Sequence, residues 1–146
     1  MIMDNEAGHI FHDATLDNLG QIRQYVRETA VSGGCIPVMI DEFIVAVNEA
    51  VSNIIRHGFK HKPGDIKVIV VCSVDTIKVT LLDKCLGFNP TTVATPNTTL
   101  PLAERPFGGM GVHMMREFCD ELSYRRTEND ENELTLLKRV DSGVEG

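Results

Sequence analysis

Tryptophan is absent, tyrosine occurs only twice, and aromatic residues make up 5 % of the chain. Stacking platforms for single-stranded nucleic acid are therefore poorly supplied. Positive charge is also scarce: 14 Lys and Arg against 21 Asp and Glu leave a net charge of −7. A polyanion is not expected as a partner, because affinity for a phosphate backbone comes from clustered cations. Apolar runs such as residues 44–47 and 68–72 fall far short of the roughly 20 residues that span a bilayer. The first residues carry no basic stretch ahead of an apolar one, so no secretory leader is expected. The four cysteines, Cys35, Cys72, Cys85 and Cys119, form no C-x-x-C pair. That excludes a zinc knuckle or a thioredoxin-like motif and fits free thiols in a reducing cytoplasm. A cytoplasmic protein with neither a membrane nor a direct nucleic-acid partner is expected.

What is present is ordinary for a globular chain. The 146 residues, 42 % hydrophobic and 24 % charged, suit a single domain with its own core. Residues 9–15 read as a short strand. Residues 16–32 place Leu19, Ile22, Val26 and Ala30 at helical spacing before Gly33 and Gly34 stop the helix. Pro37 suits a first helical turn, and a long helix is predicted over 38–57 with Gly58 as its C-terminal cap. Residues 66–73 and 77–82, rich in Val and Ile, read as a hairpin. Residues 89–107 hold four of the six prolines and show no period; a loop that long is usually functional or mobile. A helix over 108–120 and strands over 121–127 and 133–140 follow, with a frayed tail over 141–146. Hairpins with helices grouped between them predict an α+β, two-layer sandwich: a mixed, mostly antiparallel sheet with helices on one face.

Three places carry polar chemistry. On the long helix, Glu49 and Asn53 are neighbours at i,i+4, with Glu42 and Arg56 on the same polar side. Periodicity alone reads this side as solvated. Under a pocket, a carboxylate beside a carboxamide would instead orient a metal-bound phosphate and accept a hydroxyl proton. The strand over 77–82 runs into Asp83, Cys85, Gly87 and Phe88, which is either a plain strand end or a fixed carboxylate beside an open turn. Gly108, Gly109 and Gly111 open a helix, leaving backbone N–H groups for an anion or simply forming a hinge. Neither a Walker A loop nor a dinucleotide fingerprint fits these glycines.

Together, Glu49-Ala-Val-Ser-Asn53, the Asp83 to Phe88 turn and Gly109-Met-Gly111 resemble the GHKL ATPase superfamily, which includes gyrase-type, heat-shock-90-type and histidine-kinase ATP-binding domains. Within it the chain is most similar to the small anti-sigma-factor serine-protein kinases of bacterial stress and sporulation switches. The resemblance implies a Bergerat-type fold binding ATP and Mg²⁺. It implies that Asn53 holds Mg²⁺, that Glu49 is the general base, and that Asp83 accepts a hydrogen bond from the adenine amino group. Gly87 falls in the adenine-side turn, Gly109 and Gly111 border the triphosphate, and Thr135 takes the place of a threonine that holds adenine through water. Arg56 and Arg105 are phosphate contacts by the same likeness, and residues 89–107 form the ATP lid. The implied partners are a sigma factor, an anti-anti-sigma protein phosphorylated on serine, and a second copy of the chain in a homodimer. One departure stands out: the family turn has a glycine where this chain has Cys85. If the backbone there needed φ > 0, a Cβ would cost about 1–2 kcal/mol; if only clearance were needed, sulfur would crowd the base. A binding module without kinase turnover and a nucleotide-hydrolysing switch are the rival readings.

Overall fold

The computed structural model describes residues 5–73, 75–85 and 115–139, with side chains from Gly8 onward. The expected lid over 89–107, the glycine turn with Gly109 and Gly111, Gly87, Arg105 and the tail over 141–146 lie outside the described residues.

Strand β1 (Asn5–Ala14) leads through a tight turn (Leu16–Asn18) into helix α1 (Leu19–Ser32). Thr15 and Asn18 cap that entry reciprocally: the Thr15 N–H donates to Asn18 Oδ1 at 2.8 Å, and the Asp17 N–H donates to Thr15 Oγ1. Helix α2 (Pro37–Asn53) starts with Pro37 in its first turn, where a missing N–H costs nothing. Strands β2 (Gly64–Cys72), β3 (Thr76–Asp83), β4 (Glu121–Arg126) and β5 (Asn132–Arg139) complete a sheet of order β1-β2-β3-β5-β4. All four pairings among these strands are antiparallel. Residues 115–118 are helical, and Met115 is fully buried.

Alternation fixes which face of the sheet is covered. On β2 the buried positions are Ile66, Val68, Val70 and Cys72, and on β3 they are Ile77, Val79 and Leu81. On β5 they are Leu134 and Leu136. These positions form one core with Ile22, Val26 and Ala30 of α1 and with Ile40, Phe43, Val47 and Val51 of α2. The two helices are tied across their exposed edges by Arg23 to Asn48 and Arg27 to Asp41, each at 2.6 Å. Among the described residues no helix is long and apolar enough to cross a membrane.

The end of the long helix departs from expectation. In place of α-helix capped by Gly58, residues Ile54–Gly58 form a π turn. The Phe59 N–H reaches back to the Ile54 carbonyl at 2.8 Å and the His61 N–H to the Ile55 carbonyl at 2.9 Å. The left-handed conformations fall on Lys60 (φ 55°) and His61 (φ 66°), two and three residues beyond Gly58. Apolar spacing reads helix here but is blind to a change in hydrogen-bond ladder. Such π turns recur beside functional residues, and this one begins immediately after Asn53.

At the end of α1 the backbone passes against β2. A Cβ placed on Gly33 would lie 2.5 Å from Cys72 Cβ, although the Gly33 φ of −82° is ordinary. Gly33→Ala is therefore expected to lower stability by about 1–3 kcal/mol through overpacking alone. Urea unfolding should show a reduced midpoint with an unchanged slope; an unaltered midpoint would mean that α1 slides freely over β2.

Candidate functional site

The core phase of β3 does not stop with its last apolar residue. Ile77, Val79 and Leu81 are followed two residues later by Asp83, 4 % exposed, and on β5 the phase of Leu136 and Leu134 ends at Asn132, 3 % exposed. Asp83 and Asn132 are directly opposite each other in the β3–β5 register. The Asn132 Nδ2 donates to Asp83 Oδ1 at 2.8 Å and to the Cys85 carbonyl at 2.7 Å. The Cys85 N–H also donates to Asp83 Oδ1, at 3.0 Å. On its other side Asn132 Oδ1 accepts from the Tyr124 hydroxyl at 2.5 Å and from Arg126 Nη1 at 3.0 Å. Arg126 Nη1 donates to the Cys85 carbonyl as well, at 2.8 Å. Among the described residues these backbone and amide bonds concentrate on Asp83 Oδ1.

The polar side of α2 is not solvated. Asn53 is fully buried and Ser52 is 2 % exposed, while Glu49 and Arg56 are half-buried; only Glu42 stands in water. Nearly every side of the helix's C-terminal half is covered. Neither Oδ1 nor Nδ2 of Asn53 has a hydrogen-bond partner among the described residues. A buried amide left in that state costs about 1–3 kcal/mol, so its place in the core needs a reason other than packing. One amide oxygen beside the Glu49 carboxylate is the donor set expected for a hard cation that keeps most of its ligands from water and phosphate.

A cavity of about 460 Å³ opens at the ends of β2 and β3. Asp83, Lys84, Cys85, Phe59 and Glu131 contribute to its wall, whereas Glu49 and Asn53 do not. Phe59 follows directly on the π turn after Asn53, so the wall and the polar side of α2 are joined through one short segment. Thr135 does not join this group. Asn132, Leu134 and Leu136 occupy the covered face of β5, so the intervening Thr135 points to the opposite face, beside Thr80 and Ser123. The expectation that Thr135 lies on the adenine side with Asp83 is thus corrected by the strand alternation. The polar residue sharing that face is Asn132, together with its supports Tyr124 and Arg126. All three escaped the sequence reading, which began the strand at residue 133 and left Asn132 in the preceding acidic turn. A polar residue in phase with Leu134 and Leu136 is the signal that could have found it.

Cys85 is accommodated without backbone strain. Its φ is not among the positive values, which fall on Asp13, Lys60, His61, Asp130 and Gly34. The Cys85 sulfur lies 3.2 Å from Asn132 Nδ2. Burial first, and then the adjoining Asp83 carboxylate, push its thiol up to about 12. Cys72 and Cys119 are likewise pushed up to about 12, in each case chiefly by burial. All are neutral thiols near neutral pH.

With this geometry in hand, three comparisons with known proteins bear on the chain. The family described as "Histidine kinase-like ATPase domain" matches residues 12–138. An anti-sigma F factor from Bacillus cytotoxicus is 33 % identical over a stretch covering 68 % of each chain. One from Anoxybacillus flavithermus is 31 % identical over 69 % of this chain and 70 % of its own. The serine-protein kinase RsbW of Bacillus mycoides is 22 % identical over 61 % of this chain, which spans 58 % of that relative's length. A crystal structure of the RsbU and RsbW domains of a Mycobacterium tuberculosis protein shares the fold, with a TM-score of 0.58 at 17 % identity. The match covers 91 % of this chain and 32 % of that one.

Two outcomes follow from the polar burial. Asn53→Leu, close in volume but apolar, is expected to raise ligand-free stability by about 1–2 kcal/mol, because it removes an unsatisfied amide from the core. A loss of stability in calorimetry would instead show that the Asn53 amide bonds to something that holds the fold. For Cys85, a thiol near 12 is only about one part in ten thousand thiolate at pH 8, against roughly a quarter for an unperturbed thiol. Iodoacetamide at pH 8 should therefore modify Cys85 about a thousandfold more slowly in the folded protein than in denaturant, read by peptide mass spectrometry. The sign of the linkage is that the unfolded thiol ionises first, so stability falls as pH rises above about 9. Rapid native-state alkylation of Cys85 would contradict its burial against Asp83.

Proposed function

The chain belongs to the histidine kinase-like ATPase family, and from that premise we propose that it is an ATP- and Mg²⁺-dependent serine-protein kinase acting as an anti-sigma factor. In this reading it sequesters a sigma factor and phosphorylates an anti-anti-sigma protein on serine, as one part of a bacterial stress or sporulation switch. It works in the cytoplasm, as a homodimer. The observation that carries the reading is Asn53: a fully buried carboxamide, with neither amide atom bonded among the described residues, one helical turn from Glu49. The names of the relatives, serine-protein kinase and anti-sigma F factor, support the kinase and anti-sigma parts of this reading.

Phosphoryl transfer asks a protein chiefly for positioning and charge stabilisation. The residues present fit both ligands. The Asn53 amide oxygen would hold Mg²⁺, and Asp83 Oδ2 would accept from the adenine amino group. Bound Mg²⁺ supplies charge neutralisation to the phosphates. Glu49, half-buried and one turn before Asn53, takes the proton of the attacking serine hydroxyl. Arg56 lies at the same end of α2 as a phosphate contact, and Arg105 is assigned the same role from the lid. Gly87, Gly109 and Gly111, outside the described residues, are assigned to the nucleotide by the family likeness alone, as is the lid over 89–107. Adding nearly two negative charges to the antagonist serine then weakens its complex by repulsion. Cys85 adds no backbone strain that would favour a module without turnover, because its backbone lies outside the left-handed region.

The test is direct. Incubated with Mg-ATP and its cognate antagonist, the protein should produce phosphoserine detectable by mass spectrometry. Glu49→Ala should lower the transfer rate by about 10²–10⁴-fold while leaving ATP affinity within a few-fold. Transfer that survives Glu49→Ala would remove the general base from this account. Tight antagonist binding with no transfer by the unaltered protein would make it a binding module, and phosphate release without a protein acceptor would make it a hydrolytic switch.

A further inference from the structure

We propose that Asn132 is the positioning residue for base recognition, setting the Asp83 carboxylate so that the site selects adenine by its amino group. The inference rests on the assignment of Asp83 to adenine given above and adds the residue that makes that assignment selective. A carboxylate at a strand end turns readily about its last torsion, and a turned carboxylate offers a ligand no fixed acceptor. Here rotation is blocked. Asn132 Nδ2 and the Cys85 N–H both hold Oδ1, at 2.8 Å and 3.0 Å, which fixes the plane of the carboxylate and with it the position of Oδ2.

The orientation of Asn132 is itself overdetermined. Its Oδ1 meets two donors, the Tyr124 hydroxyl and the Arg126 guanidinium, and its Nδ2 meets two acceptors, Asp83 Oδ1 and the Cys85 carbonyl. The reversed amide would set oxygen against carboxylate and NH₂ against guanidinium, so only one orientation satisfies every partner. The same amide also grips the turn that carries Cys85, whose carbonyl is held a second time by Arg126. A turn that would otherwise draw its shape from glycine is thereby fixed by side chains. Because Asn132 is 3 % exposed, it acts through Asp83, and its effect is on which base is accepted.

The experiment measures equilibrium binding of ATP and of inosine triphosphate, which carries a carbonyl in place of the adenine amino group, to the full chain. The unaltered protein should prefer ATP by at least tenfold, since a site built around a fixed acceptor rejects a ligand lacking the matching donor. Asn132→Asp is nearly isosteric and keeps the acceptor for Tyr124 and Arg126, but turns the donor facing Asp83 into a second acceptor. It should weaken ATP at least tenfold and inosine triphosphate less than threefold, so that the preference collapses. A residue of merely structural importance would weaken both nucleotides alike and leave the ratio intact. Tyr124→Phe, which frees Asn132 without touching it, serves as the milder variant should Asn132→Asp not fold, and should reduce the preference about threefold. A ratio that persists in whichever of these variants folds overturns the role of Asn132 alone. Absence of any ATP preference in the unaltered protein overturns the assignment of Asp83 to adenine, and this inference with it.

Discussion

The site depends on one register: Asp83 opposite Asn132, at the end of two strands whose inward positions are otherwise apolar. Antiparallel pairing leaves no freedom here. A slip of one residue in β5 would turn Leu134 and Leu136 to the open face and bring Glu133 against Asp83, exposing the core and setting two carboxylates together. The apolar alternation of Ile77, Val79, Leu81, Leu134 and Leu136 thus does two things. It builds the floor on which α1 and α2 rest, and it delivers a carboxylate and its amide partner to the rim of that floor. Hydrophobic burial sets the position, and hydrogen bonds set the aim.

The same division of labour holds on the helix. The C-terminal half of helix α2 is buried on nearly all sides, so its polar residues are carried inward by their neighbours. Asn53 is placed by Ala50, Val51, Ile54 and Ile55, each of which is at most 1 % exposed. The π turn begins at the next residue, and it leads the chain out through Phe59 toward Gly64, where a Cβ would come within 2.7 Å of the Phe59 ring. The close approach of that ring ties the exit of the helix to the first residue of β2. The cavity wall formed by Phe59, Asp83 and Cys85 is therefore connected, through covalent and packing contacts alone, to the position of Asn53.

Much of this was legible in the sequence because it follows from period. The two helices, the hairpin of β2 and β3, the last two strands and the helices-on-one-face sandwich all come from apolar spacing. Asp83 was legible because it ends a strand with strong alternation. Four features were not. The burial of Asn53 was hidden because helical periodicity sorts residues by polarity and cannot see that a helix is covered on its polar side as well. Asn132 was hidden because strand boundaries drawn from β-forming residues stop short of an asparagine, although it keeps the phase. Thr135 was drawn into the site by its likeness in place to a family threonine, and only the in-and-out alternation of β5 puts it on the far face. The ordinary φ of Cys85 is likewise a property of the folded turn, and no sequence rule could supply it.

The two polar positions differ in a way that bears on how such a protein responds to a ligand. Around Asp83 the network is satisfied from within: Asn132, Cys85, Tyr124 and Arg126 meet one another's donors and acceptors, so this half is rigid before anything binds. Around Asn53 it is not, and the buried amide holds an unmet demand worth about 1–3 kcal/mol. A ligand that reaches both halves gains selectivity from the first and stability from the second, since any species binding only the folded state raises its stability in proportion to affinity. On the proposed assignment of adenine to Asp83 and of the phosphates to Asn53, the base would be read by a preformed surface, and the phosphate end would be where the protein's own stability changes on binding.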